Sequence, residues 1–366
     1  MPDLFSPTSV GKLTLGNHLM RSATAERLSN SETGRPLPAL ASQYRDLALG
    51  GIGLIVTGHA YIEPAGKAHP QMAAITDDGL ISTWRETIRP AQQAGARVMM
   101  QINHSGSNCD PTVNADRISP SGVATNDLTQ PRAMTTDEVE RIVRAFGQAA
   151  RRARDAGFDG VQLHGAHGYL TTQFLTAATN QRDDEWGGDP ERRRAFLRAI
   201  IREARTQVGD DFPLWIKLGV AGRAGDGLPL EEGAAAAAAA AESGIDCIEI
   251  SHALGSPAES AEAPEPQFRF MAEAVRSAVG PDFPLALVSG FNTTRTMQEI
   301  LDSGLVQLIS LCRPLIAESD LPNKLRKDHA YEHLCERCSQ CWPREPGEGV
   351  GCHNPNVLTL LEDTRA

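Results

Sequence analysis

The chain has 366 residues, and its 46 acidic against 35 basic side chains give a formal net charge of −11. That balance argues against a nucleic-acid partner, which needs a basic face for phosphates, and no apolar run reaches the roughly 18 residues of a membrane span. Met1-Pro-Asp-Leu-Phe5 lacks the basic start and apolar core of a secretory signal, so a cytoplasmic protein acting on a small molecule is expected.

In chain order, Leu4-Phe5 and Val10-Gly-Lys-Leu13 are read as an opening hairpin. Apolar β-like runs and helical stretches then alternate, the pattern of parallel strands linked by helices. Strands are expected near residues 18–24, 52–61, 97–103, 159–164, 213–219, 247–252, 284–290 and 305–312. Helices are expected over 37–49, 83–94, 136–156, 190–208, 229–243, 267–279 and 293–303. Thr135-Thr-Asp-Glu138 is a capping-box start for one of them, and Gly157 a stop. The eight alanines from Ala234 to Ala241 suit a close-packed outer helix. Eight tandem units fit a single α/β domain closed as a (β/α)8 TIM barrel better than an open doubly wound sheet.

In such a barrel the residues after each strand share one mouth, where the chemistry sits. His164, His167 and Tyr169 follow the fourth strand and suit a carbonyl whose neighbouring carbon must take a proton. Ser22-Ala-Thr-Ala25, Gln101, Asn103, Lys217 and His252 occupy the same rim, and Lys217 interrupts an apolar run, Leu214-Trp-Ile-Lys-Leu218. Ser289-Gly290-Phe291 and Cys312-Arg313 follow the seventh and eighth strands, the usual phosphate site of this fold, where glycine lets an anion approach the backbone and arginine adds charge.

Leu4-Phe5-Ser-Pro7, Gly16-Asn17, Gly50-Gly-Ile-Gly53, Gln101, His164-Gly-Ala-His-Gly-Tyr169, Gln173-Phe-Leu, Asn180 to Gly188 and Cys312-Arg-Pro314 together resemble the old yellow enzyme family of FMN oxidoreductases. The resemblance covers nearly the whole chain. It implies FMN at the mouth, with Ala23, Thr24, Ala25 and Ala60 packed on or beside the ring system and Gln101 on its pyrimidine edge. Lys217 would stand near N1 and C2=O, and Ser289, Gly290, Phe291, Cys312 and Arg313 would hold the phosphate. His164 and His167 would grip a substrate carbonyl, FMN would deliver hydride to the β-carbon, Tyr169 would protonate the α-carbon, and NADH or NADPH would recharge the flavin. Ala25 departs from the Thr or Cys of many relatives and cannot hydrogen-bond the flavin C4=O.

Cys335, Cys338, Cys341 and Cys352 supply four thiolates in a short span, enough for a [4Fe-4S] cluster or a structural zinc ion. The cluster is preferred, because the branch of the family that includes 2,4-dienoyl-CoA reductase and trimethylamine dehydrogenase carries a comparable series. In that branch a histidine placed as His252 is helps relay the proton. The division expected is a barrel over 1–330 and a cysteine-rich extension over 331–366 packed on it. The chain ends at Ala366, shortly after Cys352, so electrons would come directly from NAD(P)H or through a separate electron-transfer protein. A homo-oligomer is expected. The activity implied is reduction of an activated C=C bond; the rivals are amine dehydrogenation with electrons leaving through the cluster, and a flavin and iron–sulfur electron carrier. Specificity is expected to lie in the loops Asn108–Met134 and Ser256–Pro266.

Overall fold

The computed structural model describes residues 3–125 and 130–363; residues 126–129 of the first expected specificity loop lie outside them. Eight parallel strands close into a barrel: Leu19–Arg21, Leu54–Val56, Arg97–Asn103, Gly160–Gly165, Leu214–Ala221, Cys247–His252, Leu285–Val288 and Leu308–Leu311. Closure comes from the first strand, which pairs with both the eighth and the second. The fold is therefore the (β/α)8 barrel that the alternation of elements predicts.

Period-two alternation on these strands sorts the interior into layers. Along the fifth strand Leu214, Ile216 and Leu218 face the outer helices, whereas Trp215 joins a separate inner apolar cluster with Met20, Leu54, Met99, Cys247 and Leu308. Val10, Leu13 and Leu15 belong to the same inner cluster, so the N-terminal hairpin plugs that end of the barrel. Two residues further along the strands the layer turns polar, with Gln101 opposite Gln162 and Lys217 opposite Glu249 in register.

The hairpin itself is shifted from the expected one. It pairs Thr8–Val10 with Leu13–Leu15 and turns through Gly11, whose φ of +57° suits the tight connection. Leu4 and Phe5 lie outside it. The capping box at Thr135 forms as predicted, with the Thr135 hydroxyl accepting from Glu138 N–H and the Glu138 carboxylate from Thr135 N–H. The expected helix over 190–208 is two helices, Pro190–Arg193 and Ala195–Val208, parted at Arg194. Short helices at Leu170–Leu175, Arg313–Ala317, Leu321–Lys327 and Pro355–Asp363 were not anticipated. No helix among the described residues is long and apolar enough to cross a membrane.

The segment after residue 331 touches the mouth at several points. Val350 N–H donates to Glu26 C=O at 2.9 Å, and Gly349 lies against Leu28, so close that a Cβ there would come within 2.8 Å of it.

Candidate functional site

The loop after the fourth strand is braced from below. Gln173 accepts from Ser107 N–H at 3.2 Å and donates to the carbonyls of Ser105 and Gly168 at 3.0 and 2.8 Å. Asn180 donates to Phe174 and Trp186 carbonyls at 2.8 Å each. The Asn180 to Gly188 block is thus a clamp on the loop rather than a source of reacting groups.

That clamp sets His164, His167 and Tyr169 together. Ring centroids of His164 lie 5.1 Å from His167 and 4.9 Å from Tyr169, both edge-on, and His252 stands 4.6 Å from His167. Ala166 N–H donates to His164 Nδ1 at 3.2 Å, which leaves the neutral ring's proton on Nε2. His167 adopts φ +59° and its Nε2 shares a 2.9 Å hydrogen bond with Ser251 Oγ. Burial, reinforced by His59, Lys217 and the neighbouring histidines, holds His164 and His167 well below the usual imidazole range. Both are neutral donors at physiological pH. Burial pushes the Tyr169 phenol up to about 12, so its proton stays in place. His252 is held down by burial too, and reaches this group through His167.

Beside these rings opens a cavity of about 310 Å³ across the mouth. Of the residues expected to hold a cofactor, Ala23, Lys217, Ser289, Gly290, Phe291, Cys312 and Arg313 line it. Thr24 meets Cys312 Sγ at 3.2 Å, and Ala25 lines an adjoining recess. Ala60 and Gln101 are buried off the cavity wall, Gln101 donating to Gln162 at 2.8 Å. His164 also stands back from that wall. Ser289 and Gly290 both have positive φ, 101° and 78°, so the backbone turns sharply where it meets the cavity wall. A Cβ on Gly290 would press on Gln267 at 3.2 Å.

Two features escaped the sequence reading. Lys217 Nζ is engaged by Glu249 Oε1 at 2.9 Å and Ser22 Oγ at 2.6 Å, while Ser22, Ser310 and Gln162 also donate to Glu249. Burial alone would raise the Glu249 carboxyl, but Lys217 and the hydroxyl donors outweigh it and hold it below the ordinary range. The signal was present, since Glu249 interrupts Cys247-Ile-Glu-Ile-Ser-His252 just as Lys217 interrupts its own run. The second feature is Arg337, which lines the cavity with Arg313 and bonds Asn292 Oδ1 and, at 3.4 Å, Gly290 C=O.

Cys335, Cys338, Cys341 and Cys352 line one small recess, next to Arg313 and Arg337. Burial, then the neighbouring thiols, pushes Cys341 up to about 11. The four sulfurs do not close on a common centre: among the described residues no three His, Cys, Asp or Glu side chains are grouped to hold a metal ion. The ligation expected from the spacing is therefore not met by the geometry.

The family model described as NADH:flavin oxidoreductase / NADH oxidase matches residues 3–332. Among curated proteins, an NADH oxidase of Thermoanaerobacter brockii is 32% identical over 98% of this chain and 55% of its own length. An NADPH dehydrogenase of Bacillus subtilis (strain 168) is 31% identical over 86% of this chain and 91% of its own. The old yellow enzyme homologue from Zymomonas mobilis superposes with a TM-score of 0.78 at 26% identity, covering 90% of this chain and 94% of that one. The chain thus spans about half the length of the first of these relatives.

Proposed function

The chain belongs to the NADH:flavin oxidoreductase / NADH oxidase family, and on that premise we propose that it binds FMN at the barrel mouth and reduces the activated C=C bond of an α,β-unsaturated carbonyl compound with NADH or NADPH as electron source. The observation that carries this reading is the convergence of two neutral imidazoles and a protonated phenol, of which His167 lines the cavity and His164 and Tyr169 pack behind it.

The cavity suits the cofactor. The Ser289-Gly290 turn, Arg313 and Arg337 offer a phosphate site, and Lys217 lines the same cavity from the fifth strand. The chemistry supplied there by FMN, once bound and reduced, would be hydride donation to the β-carbon. His164 and His167 bind and polarise the carbonyl oxygen, each donating from one ring nitrogen, His167 exchanging Ser251 for the substrate. Tyr169 gives its proton to the α-carbon. Its high pKa is no obstacle, since the enolate forming at that carbon is itself a strong base. His252 contacts His167 and serves as a relay for that set. Ala60 and Gln101 are assigned to the flavin's ring edge from the resemblance alone.

Amine dehydrogenation ranks below this reading, because Ala25 offers no thiol for a flavin link and an imidazole, His164, occupies the substrate position. The division at residue 330, cytoplasmic location, a homo-oligomer and an electron partner remain part of the proposal. For the tail, what supports a [4Fe-4S] cluster or zinc is the recess that Cys335, Cys338, Cys341 and Cys352 share, and the alkene reduction depends on the barrel's own residues. The test of the function is reconstitution with FMN, followed by anaerobic assay of NADH and NADPH with cyclohexenone; saturated ketone as product supports it, and a protein that does not bind FMN removes it.

A further inference from the structure

Behind Tyr169, across the His59 ring, lies a second recess. His59 packs 5.1 Å from the Tyr169 ring and 5.6 Å from that of His69, and both histidines line the recess together with Arg27, Gln71 and apolar side chains such as Leu40 and Met72. His69 is 8% exposed, yet neither of its ring nitrogens has a partner. The Arg27 Nε is also buried without one. Unpaired buried polar groups are costly and uncommon, so three such atoms on two residues that line one recess call for a ligand. Water would satisfy the imidazole but would not neutralise a guanidinium that forms no ion pair among the described residues.

The direction of Arg27 is built in. Its backbone is left-handed, with φ +56°, a strained state for a side chain of this size. The residue before it fixes it there: Glu26 accepts from Arg21, Tyr44 and Gly58 N–H, and its carbonyl accepts from Val350. The Trp342 ring lies 5.0 Å from the guanidinium carbon and covers one face, which leaves the edge donors for a planar acceptor.

We propose that the substrate carries a carboxylate set apart from its alkene, and that Arg27, with His69 beside it, receives that carboxylate. The proposal rests on the reading of His164, His167 and Tyr169 as the alkene-reducing group and adds the class of substrate. A carboxylate matches the guanidinium fork in shape and charge. A phosphate monoester brings nearly two charges, and neither histidine adds a second positive one, because burial first holds His59 to about 4 and His69 to about 2. At the outer rim Arg344 stands beside Glu345.

The test uses FMN-loaded protein and two pairs of probes: 4-oxocyclohex-2-ene-1-carboxylate with its methyl ester, and the saturated counterparts of both. Dissociation constants come from perturbation of the oxidised flavin spectrum, and kcat/KM from turnover. The wild type is expected to prefer acid over ester by about ten- to a hundredfold, the worth of one charged hydrogen bond. Arg27→Gln collapses the ratio toward one, and Arg27→Lys restores part of it. Equal binding of acid and ester by the wild type, or a preference that survives Arg27→Gln, overturns the proposal. Should Arg27→Gln fail to fold, the wild-type ratio and Arg27→Lys still decide. An acid preference in binding without reduction of either enone would keep the anion site and remove alkene reduction, whereas reduction without preference would do the reverse.

Discussion

The Lys217 ammonium stands 2.9 Å from the Glu249 carboxylate, and both side chains are almost wholly buried. Sequence places a lone cation at the proposed flavin site, but the fold pairs that cation with a carboxylate. A buried pair broken on one side costs about 3 to 5 kcal/mol. Glu249→Gln is therefore expected to lower the free energy of unfolding, read from urea titration, by an amount in that range, and Lys217→Met with Glu249→Gln together to lose less than the two singles combined. Additive losses would show that the pair is not coupled. Because Glu249→Gln frees the positive charge, it should also raise the potential of bound flavin, and Lys217→Met should lower it.

The proton donor is tested by Tyr169→Phe. Loss of a positioned acid removes about 10² to 10⁴ in rate, so kcat for a cyclic enone should fall by that factor while reduction of the flavin by NAD(P)H, followed separately by stopped flow, continues. Wild-type turnover in Tyr169→Phe would remove the phenol from the mechanism.

Stability should depend on pH through the buried histidines. The unfolded imidazoles titrate near 6.5, while His59 is held to about 4 and His164 and His167 lie well below their usual range. As the pH falls the unfolded chain takes up protons first, so this stability is complete above about 6.5 and is lost as the pH drops through 6.5 toward the folded values. His59 alone accounts for up to about 3 kcal/mol. Urea midpoints at pH 8, 6 and 5 should fall in that order; a flat series would contradict neutral burial.

At the phosphate end, Arg313→Ala and Arg337→Ala should each weaken FMN binding by roughly tenfold or more, the worth of a charged hydrogen bond. Fluorescence titration of the apoprotein reads this directly. An unchanged dissociation constant for Arg337→Ala would confine that residue to bracing Asn292 and Gly290.

What the sequence made legible follows from the physics of each feature. The barrel was readable because its strands are short apolar runs set off by capped helices. Lys217 was readable as a site residue because it interrupts the apolar run Leu214-Trp-Ile-Lys-Leu218. Pairing across strands is not written in a single strand, so Glu249 stayed hidden. Arg337 was masked by the cysteines on either side of it, and His59 and His69 come together only when the loop after the second strand folds back to Tyr169. The hairpin was misplaced because the apolar pair Leu4-Phe5 outweighed the turn signal of Gly11-Lys12.

The most direct measurement is a single-turnover experiment. FMN-loaded protein is reduced under argon with one equivalent of NADPH or NADH, mixed with excess cyclohexenone, and followed by flavin absorbance with product analysis. The account predicts return of the oxidised flavin bands with one equivalent of cyclohexanone, slowed in Tyr169→Phe. Flavin that stays reduced, or reoxidises without saturated ketone, would contradict it.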